Sequence, residues 1–171
     1  MTEIRNLLHN PRPGMPGVAE FTAGPYATVT YLPNKVKIAA TQSYAYAQRD
    51  ITLPAGDYTY SAFVGNYTGS DTPKTTGNRG LYVIVGGGAI GHEPFSTADK
   101  RYTASFHLDT ETTVSLRLAG PATIGESLSW GAMILASKQD YDQMRALTDA
   151  NGQPLNLEWF DGDTYPRNSG A

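Results

Sequence analysis

Three features of the sequence predict an all-β fold: an antiparallel β-sandwich (jelly roll) of about eight to ten strands with one short C-terminal helix. Apolar residues alternate with polar ones over one segment after another, the period of a strand with one buried face. The 171 residues include 18 glycines and 11 prolines, enough to punctuate many short strands with turns. Only one stretch carries a helical stripe.

In chain order, residues 1–17 hold Pro11, Pro13, Gly14, Pro16 and Gly17 and read as an extended, loop-rich arm. A single domain is expected over residues 18–166, with 167–171 as a tail. Ala27, Val29 and Tyr31 alternate with threonines, and Val36, Ile38 and Ala40 alternate with Lys35 and Lys37. Pro33-Asn34 joins the two as a tight turn. Alternation continues from Tyr44 and Tyr46 towards Ile51 and Leu53. A turn at Pro54-Ala55-Gly56 leads into a strand from Asp57 to Val64, with Tyr58, Tyr60, Ala62 and Val64 on one face. Residues 65–80 are rich in Gly, Ser, Thr and Asn and read as a long exposed loop.

Leu81 to Val85 is a continuous apolar strand. Tyr102, Ala104, Phe106 and Leu108 alternate, as do Val114, Leu116 and Leu118. Leu128 to Ala136 reads as a buried last long strand holding Trp130. The helix is expected at about residues 138–147, as a lid on the sandwich. Ser137 and Asp140 supply a capping box of the acidic kind, and Tyr141, Met144 and Leu147 form its apolar stripe.

Composition bounds the function. Thirteen Lys and Arg stand against 16 Asp and Glu, for a net charge of −3, with no block of like charges to attract nucleic acid. No apolar run approaches the ~18 residues of a membrane span. Cysteine is absent, so the fold has no disulfide and no thiolate metal site. The chain opens on Met1 without a secretory pattern, so synthesis in a cytoplasm is expected and, for action outside the cell, release by lysis or assembly rather than secretion.

Chemistry-bearing motifs each have a structural reading. Gly86-Gly87-Gly88-Ala89-Ile90-Gly91 fits G-x-G-x-x-G after a strand, and Asp109 follows roughly 20 residues on. That motif needs a helix starting at the glycines to hold a pyrophosphate. Pro94 and the strand at Tyr102 leave no room for one, so the run reads as an inter-strand loop. His9, His92 and His107 are scattered. Glu158, Asp161 and Asp163 flank Trp159 and Phe160 on a short strand and turn, and Asp161-Gly162-Asp163 reads as an Asx-type turn. No catalytic, cofactor or metal residue is assigned, and no cofactor is expected.

Tyrosine is the unusual component, 11 in all. Tyr44, Tyr46, Tyr58, Tyr60, Tyr67 and Tyr82 are the candidate ligand or partner contacts, because a flat ring with a hydroxyl suits a sugar. The same residues also suit a protein partner or the core. Trp130, Trp159, Phe160, Asp161, Gly162 and Asp163 are assigned structural roles.

The order of segments resembles a known family. Asn6-Leu7-Leu8-His9-Asn10-Pro11 is similar to the opening of carbohydrate-binding-module-like jelly rolls. Ile51 to Ala62, Thr113 to Leu118 and Leu128 to Leu135 are similar to three of their strands. Trp159-Phe160-Asp161-Gly162-Asp163-Thr164 resembles the closing motif of minor tail and other virion proteins of bacteriophages, especially those of actinobacteria. The resemblance implies a non-catalytic virion structural protein on the tail or capsid surface, aiding adsorption through host-surface glycans. A capsid decoration protein without a ligand and a stand-alone lectin-like module are the alternatives. Partners implied are other virion proteins, a homo-oligomer (a trimer) and cell-surface carbohydrate. Relatives with a structural calcium carry a Glu after the opening and acids after the last-strand tryptophan. Pro13-Gly14 and Gly131-Ala132 stand there instead, which takes away the ligands of that site.

Overall fold

A computed structural model of the protein describes residues 3–8, 21–32, 35–69, 79–160 and 164–166. Two five-stranded antiparallel sheets pack face to face. One has the order β2 (Thr22–Ala23), β5 (Tyr46–Leu53), β10 (Thr112–Ala119), β7 (Arg79–Val85), β8 (Gly88–Pro94). The other has the order β3 (Ala27–Leu32), β4 (Lys35–Ala40), β11 (Ser127–Ser137), β6 (Gly56–Gly65), β9 (Lys100–Leu108). A helix, α1 (Lys138–Arg145), and a small pair, β1 (Glu3–Arg5) with β12 (Thr164–Pro166), complete the described elements.

The topology is that of a folded ribbon. β7 pairs with β8, β6 with β9, β5 with β10 and β4 with β11, so strands before and after one hairpin meet in reverse order. Wrapping this ribbon around itself brings β10 beside β7 and β11 beside β6, which makes the jelly roll. The hairpin at its tip is the glycine run. Gly86 and Gly87 turn with φ of 57° and 82°, backbone that residues with a Cβ seldom adopt. The expected loop over Gly88 to Gly91 is therefore a strand. Its alternation is hidden because Gly91 lies against β9, where a Cβ would come within 2.9 Å of Ser105 O.

Between the sheets lies the main core, including Ile38, Tyr60, Val83, Leu116, Leu128 and Trp130. Trp130 is fully buried and donates from Nε1 to Ala119 O at 2.9 Å. Its ring meets Phe95 and Tyr102 edge-on. The buried Tyr102 hydroxyl is satisfied: it accepts from Ser96 N and Thr97 N and donates to Thr97 O. Glu93 of β8 accepts from Thr103 N, capping part of the free edge of β9.

A second apolar layer covers the outer face of the β11 sheet, where Ile134 and Ala136 pack with Ile4, Met144, Leu147 and Phe160. β11 serves both layers, as alternate residues of a strand do, and a bulge in it changes which residues face which layer. Gly131 pairs with Phe63 and Ile134 with Ser61, so Ala132 and Met133 together face Ala62. Before the bulge Leu128 and Trp130 point inward. After it the parity flips, so Met133 and Leu135 point inward and Ile134 and Ala136 outward.

Asn6 ties the chain start to this bulge. It is buried, its Nδ2 donates to Met133 O at 3.0 Å, and its Oδ1 accepts from Leu135 N at 3.1 Å and Leu8 N at 3.2 Å. Arg5 N donates to the Asp140 carboxylate. Ser137 caps the helix, its Oγ accepting from Asp140 N at 3.1 Å. Within the described start of the segment expected as an extended, loop-rich arm, Glu3–Arg5 forms a strand and Ile4, Asn6 and Leu8 are buried.

Other boundaries also shift. The helix closes at Arg145, with Ala146 and Leu147 bonded back in a final turn. Tyr44 sits in a turn at φ 68° rather than on a strand. Trp159 and Phe160 lie in irregular chain packed on the second layer rather than on a strand. Pro33-Asn34, most of the 65–80 loop, and Asp161-Gly162-Asp163 fall outside the described residues.

Two substitutions check this account. Trp130→Ala is expected to cost about 3–5 kcal/mol in urea unfolding, and an unchanged midpoint would refute its place in the core. Asn6→Ala leaves a carbonyl and two N–H groups at the bulge without partners and is expected to cost about 1–3 kcal/mol. Loss of less than about 0.5 kcal/mol would mean that the N-terminal segment contributes nothing there.

Candidate functional site

The six candidate tyrosines divide by position. Tyr58 and Tyr60 of β6 point into the main core. Tyr58 stacks on Phe106 at 5.4 Å and donates to Pro54 O at 2.8 Å, reaching back across the turn much as a tyrosine corner does. The Tyr60 hydroxyl is fully buried without a hydrogen-bond partner among the described residues. Burial holds its pKa well above the usual phenol value, opposed by the nearby Arg49 guanidinium. These two rings are core, because odd and even positions of β6 face opposite layers and theirs is the inner one. Tyr67 is half-buried and donates to the Glu126 carboxylate. Tyr44, about half exposed, stands in its turn.

Tyr46 and Tyr82 lie on the outer face of the sheet β2-β5-β10-β7-β8. They belong to a row of flat groups that crosses it. Arg117 of β10 pairs in register with Gln48 of β5 on one side and Tyr82 of β7 on the other, and Tyr82 pairs with His92 of β8. The Arg117 guanidinium lies 4.2 Å from the Tyr46 ring centre and 5.9 Å from that of Tyr82. The Tyr82 ring meets His92 edge-on at 6.3 Å. Tyr82 itself is buried, while Tyr46, Gln48 and Arg117 are half-exposed and His92 is exposed.

Hydrogen bonds hold the row in place. Arg117 Nε donates to Gln48 Oε1 at 3.1 Å, and Ser115 Oγ donates to Asp50 Oδ1 at 2.6 Å. Further along the same face Thr52 and Thr113 bond through their hydroxyls at 2.7 Å. The result is a polar strip over four strands, with donors from Arg117 and Gln48 and acceptors from Asp50 and Gln48. Such a strip offers fixed hydrogen bonds and ring edges. Arg117, Gln48, Asp50 and Ser115 escaped sequence reasoning. Alternation alone put them on an outer face, and only the register brings β5 and β10 together.

Elsewhere, Glu158 serves structure. It lies 3.3 Å from Arg101 Nε, an ion pair short of hydrogen-bond geometry, and 3.8 Å from Arg145. Among the described residues no group of three or more His, Asp or Glu is placed to hold a metal ion. No helix among them is long and apolar enough to cross a membrane.

No family model matches this chain, and no curated protein matches it. Among solved structures it is similar to a family 29 carbohydrate-binding module complexed with cellulohexaose. The TM-score is 0.49 at 10% identity, covering 80% of this chain and 92% of that one. A second structure of a family 29 module has a TM-score of 0.48 at 10% identity, covering 80% and 90%. A form complexed with mannohexaose has 0.46 at 11%, covering 80% and 91%. No residue correspondence is drawn at this identity.

The exposed His107 of β9 makes a separate ionisable cluster, with Nδ1 2.7 Å from Asp57 Oδ1 and Nε2 3.1 Å from Asp109 Oδ1. Its pKa is raised, first by the bond to Asp57 and then by that to Asp109. A raised folded pKa means that the stabilising contribution is fully present below the unfolded value, about 6.5. It is lost as pH rises through the folded pKa. NMR titration is expected to place His107 above a free histidine, and Asp57→Asn to bring it down. A wild-type value at or below that of the variant would contradict the pairing.

Proposed function

We propose that this protein is a non-catalytic carbohydrate-binding module that lays a glycan along the outer face of the β2-β5-β10-β7-β8 sheet. The observation that carries it is the strip centred on Arg117 and Tyr46. Planar groups fixed by Gln48 stand beside a carboxylate and a hydroxyl from adjacent strands. Sugar hydroxyls both donate and accept, so recognition needs donors and acceptors at fixed spacing, and aromatic groups to meet the CH faces. Residues already hydrogen-bonded to one another lose little side-chain entropy on binding.

Of the candidate tyrosines, this reading keeps Tyr46 as a contact and Tyr82 as support for Arg117. The sequence resemblance adds a setting: display on a bacteriophage tail or capsid surface, with other virion proteins or further copies of the chain as partners. Neither the fold nor the comparisons add support to that setting. Mass spectrometry of washed particles is the measurement for it, and absence of the chain would remove it.

On a glycan array the protein is expected to bind a subset of chains. Arg117→Ala and Tyr46→Ala should each weaken the best of them by at least about tenfold. Ile124→Ala, an exposed apolar residue on the loop before β11, should leave binding unchanged. Silence of the array at millimolar sugar, or equal binding by the Arg117 and Tyr46 variants, would defeat the proposal.

A further inference from the structure

On the opposite face of the sandwich, beside the β11 bulge, lies a recess of about 260 Å³. Register makes it. Phe63 of β6 faces Gly131 of β11, and Gly131 faces Lys35 of β4, so a large ring stands beside a position with no side chain. Phe63 is 39% exposed, and Trp159, half-buried on the second apolar layer, supplies another wall. Ser129, Gly131 and Ala132 line it from β11, and Gly65, Asn66 and Asp99 complete it opposite. A Cβ on Gly65 would come within 3.2 Å of Asp99 Oδ1, so its absence leaves the carboxylate room.

Two independent observations mark this recess. Asn66, Asp99 and Ala132 have φ of 55°, 56° and 48°, so three of the five left-handed non-glycine residues among those described gather on one recess. Backbone strain of this kind concentrates where a structure holds groups for a purpose. In addition, Ser129 is 3% exposed and its hydroxyl makes no hydrogen bond among the described residues. Lys35, Asn66 and Asp99 likewise spend no side-chain hydrogen bond among them. A hydroxyl that lines a recess with its bonding capacity unspent is open to the hydroxyls of a ligand.

We infer that this recess binds a single neutral pyranose unit, making it a second sugar site separate from the strip on the other sheet. Phe63 and Trp159 offer apolar surface for the CH groups of a ring. Asp99 accepts, Lys35 donates, and Asn66 and Ser129 do both, which matches hydroxyls arrayed around one ring. The recess is too small for a run of linked sugars, so it takes the end of a chain. The inference shares the ligand class of the proposed function but rests on a different surface.

The test is NMR on the folded protein with methyl glycosides of glucose, mannose, galactose and N-acetylglucosamine as probes. At least one is expected to shift the amide signals of Gly65, Asn66, Asp99 and Gly131 and to change the fluorescence of Trp159. Phe63→Ala and Asp99→Asn should each weaken that response by at least about tenfold. Asp99→Asn keeps size and shape and guards against simple loss of fold, which thermal melting checks. Absence of shifts at the recess for all four probes, shifts confined to the Tyr46 and Arg117 face, or a response unaltered in both variants would overturn the inference. A silent glycan array combined with recess shifts would instead remove the proposed function and leave this site standing.

Discussion

The extra residue at Ala132 is the constraint on which both layers depend. β11 runs through the middle of its sheet and must give Leu128 and Trp130 to one core and Ile134 and Ala136 to another. Without the bulge the alternation would send Met133 and Leu135 outward and bring Ala132, Ile134 and Ala136 into the sandwich in their place. Such a bulge interrupts the ladder, and its polar groups need other partners. Asn6 takes the Met133 carbonyl and the Leu135 N–H, while Arg101 Nη2 donates to Ala132 O at 2.8 Å. Arg101 also donates from Nη1 to Ser61 Oγ at 2.9 Å and pairs with Glu158. Residues from the start, middle and end of the chain thus meet around one irregularity.

The two sheets divide their surfaces between different tasks. The β11 sheet carries the helix, the β1–β12 pair and the irregular C-terminal chain over part of its outer face, leaving the recess at Phe63 beside them. The other sheet keeps polar outward residues on its central strands β5 and β10, with Arg117 held between Tyr46 and Tyr82 of β7. A rigid sandwich suits both, because strands hold side chains with less freedom than loops.

Sequence patterning served well wherever one face of a strand is polar. β6, β9 and β10 alternate cleanly, and Tyr58, Tyr60 and Tyr102 could be placed on a single face from spacing alone. It was mute where that contrast vanishes. Within Leu128 to Ala136 nearly every residue is apolar, so a change of parity at Ala132 leaves no mark. β8 hid because its one buried residue, Gly91, is small for close approach to β9 and its other residues are not patterned for burial. Asn6 works through three hydrogen bonds, which have no period. Whether a tyrosine is core or contact depends on which layer its face meets, and β5 and β6 offer their rings to different layers. Arg117 and Gln48 meet only through register between distant strands.

The ribbon topology also sets an order of cost in making the fold. At the tip, Val85 and Gly88 pair across two glycines, so that loop closes with little loss of chain freedom. Each pairing farther from the tip joins residues more distant in the chain, out to Lys35 with Gly131. Beyond that pairing lies the Asn6 junction, which joins the chain start to Met133 and Leu135. The heaviest closure entropy therefore falls on the contacts that hold the bulge and on the β1–β12 pair beside them, and a topology of this kind belongs with slow folders. The glycine run that mimics a nucleotide-binding loop is the place where the chain can most cheaply begin.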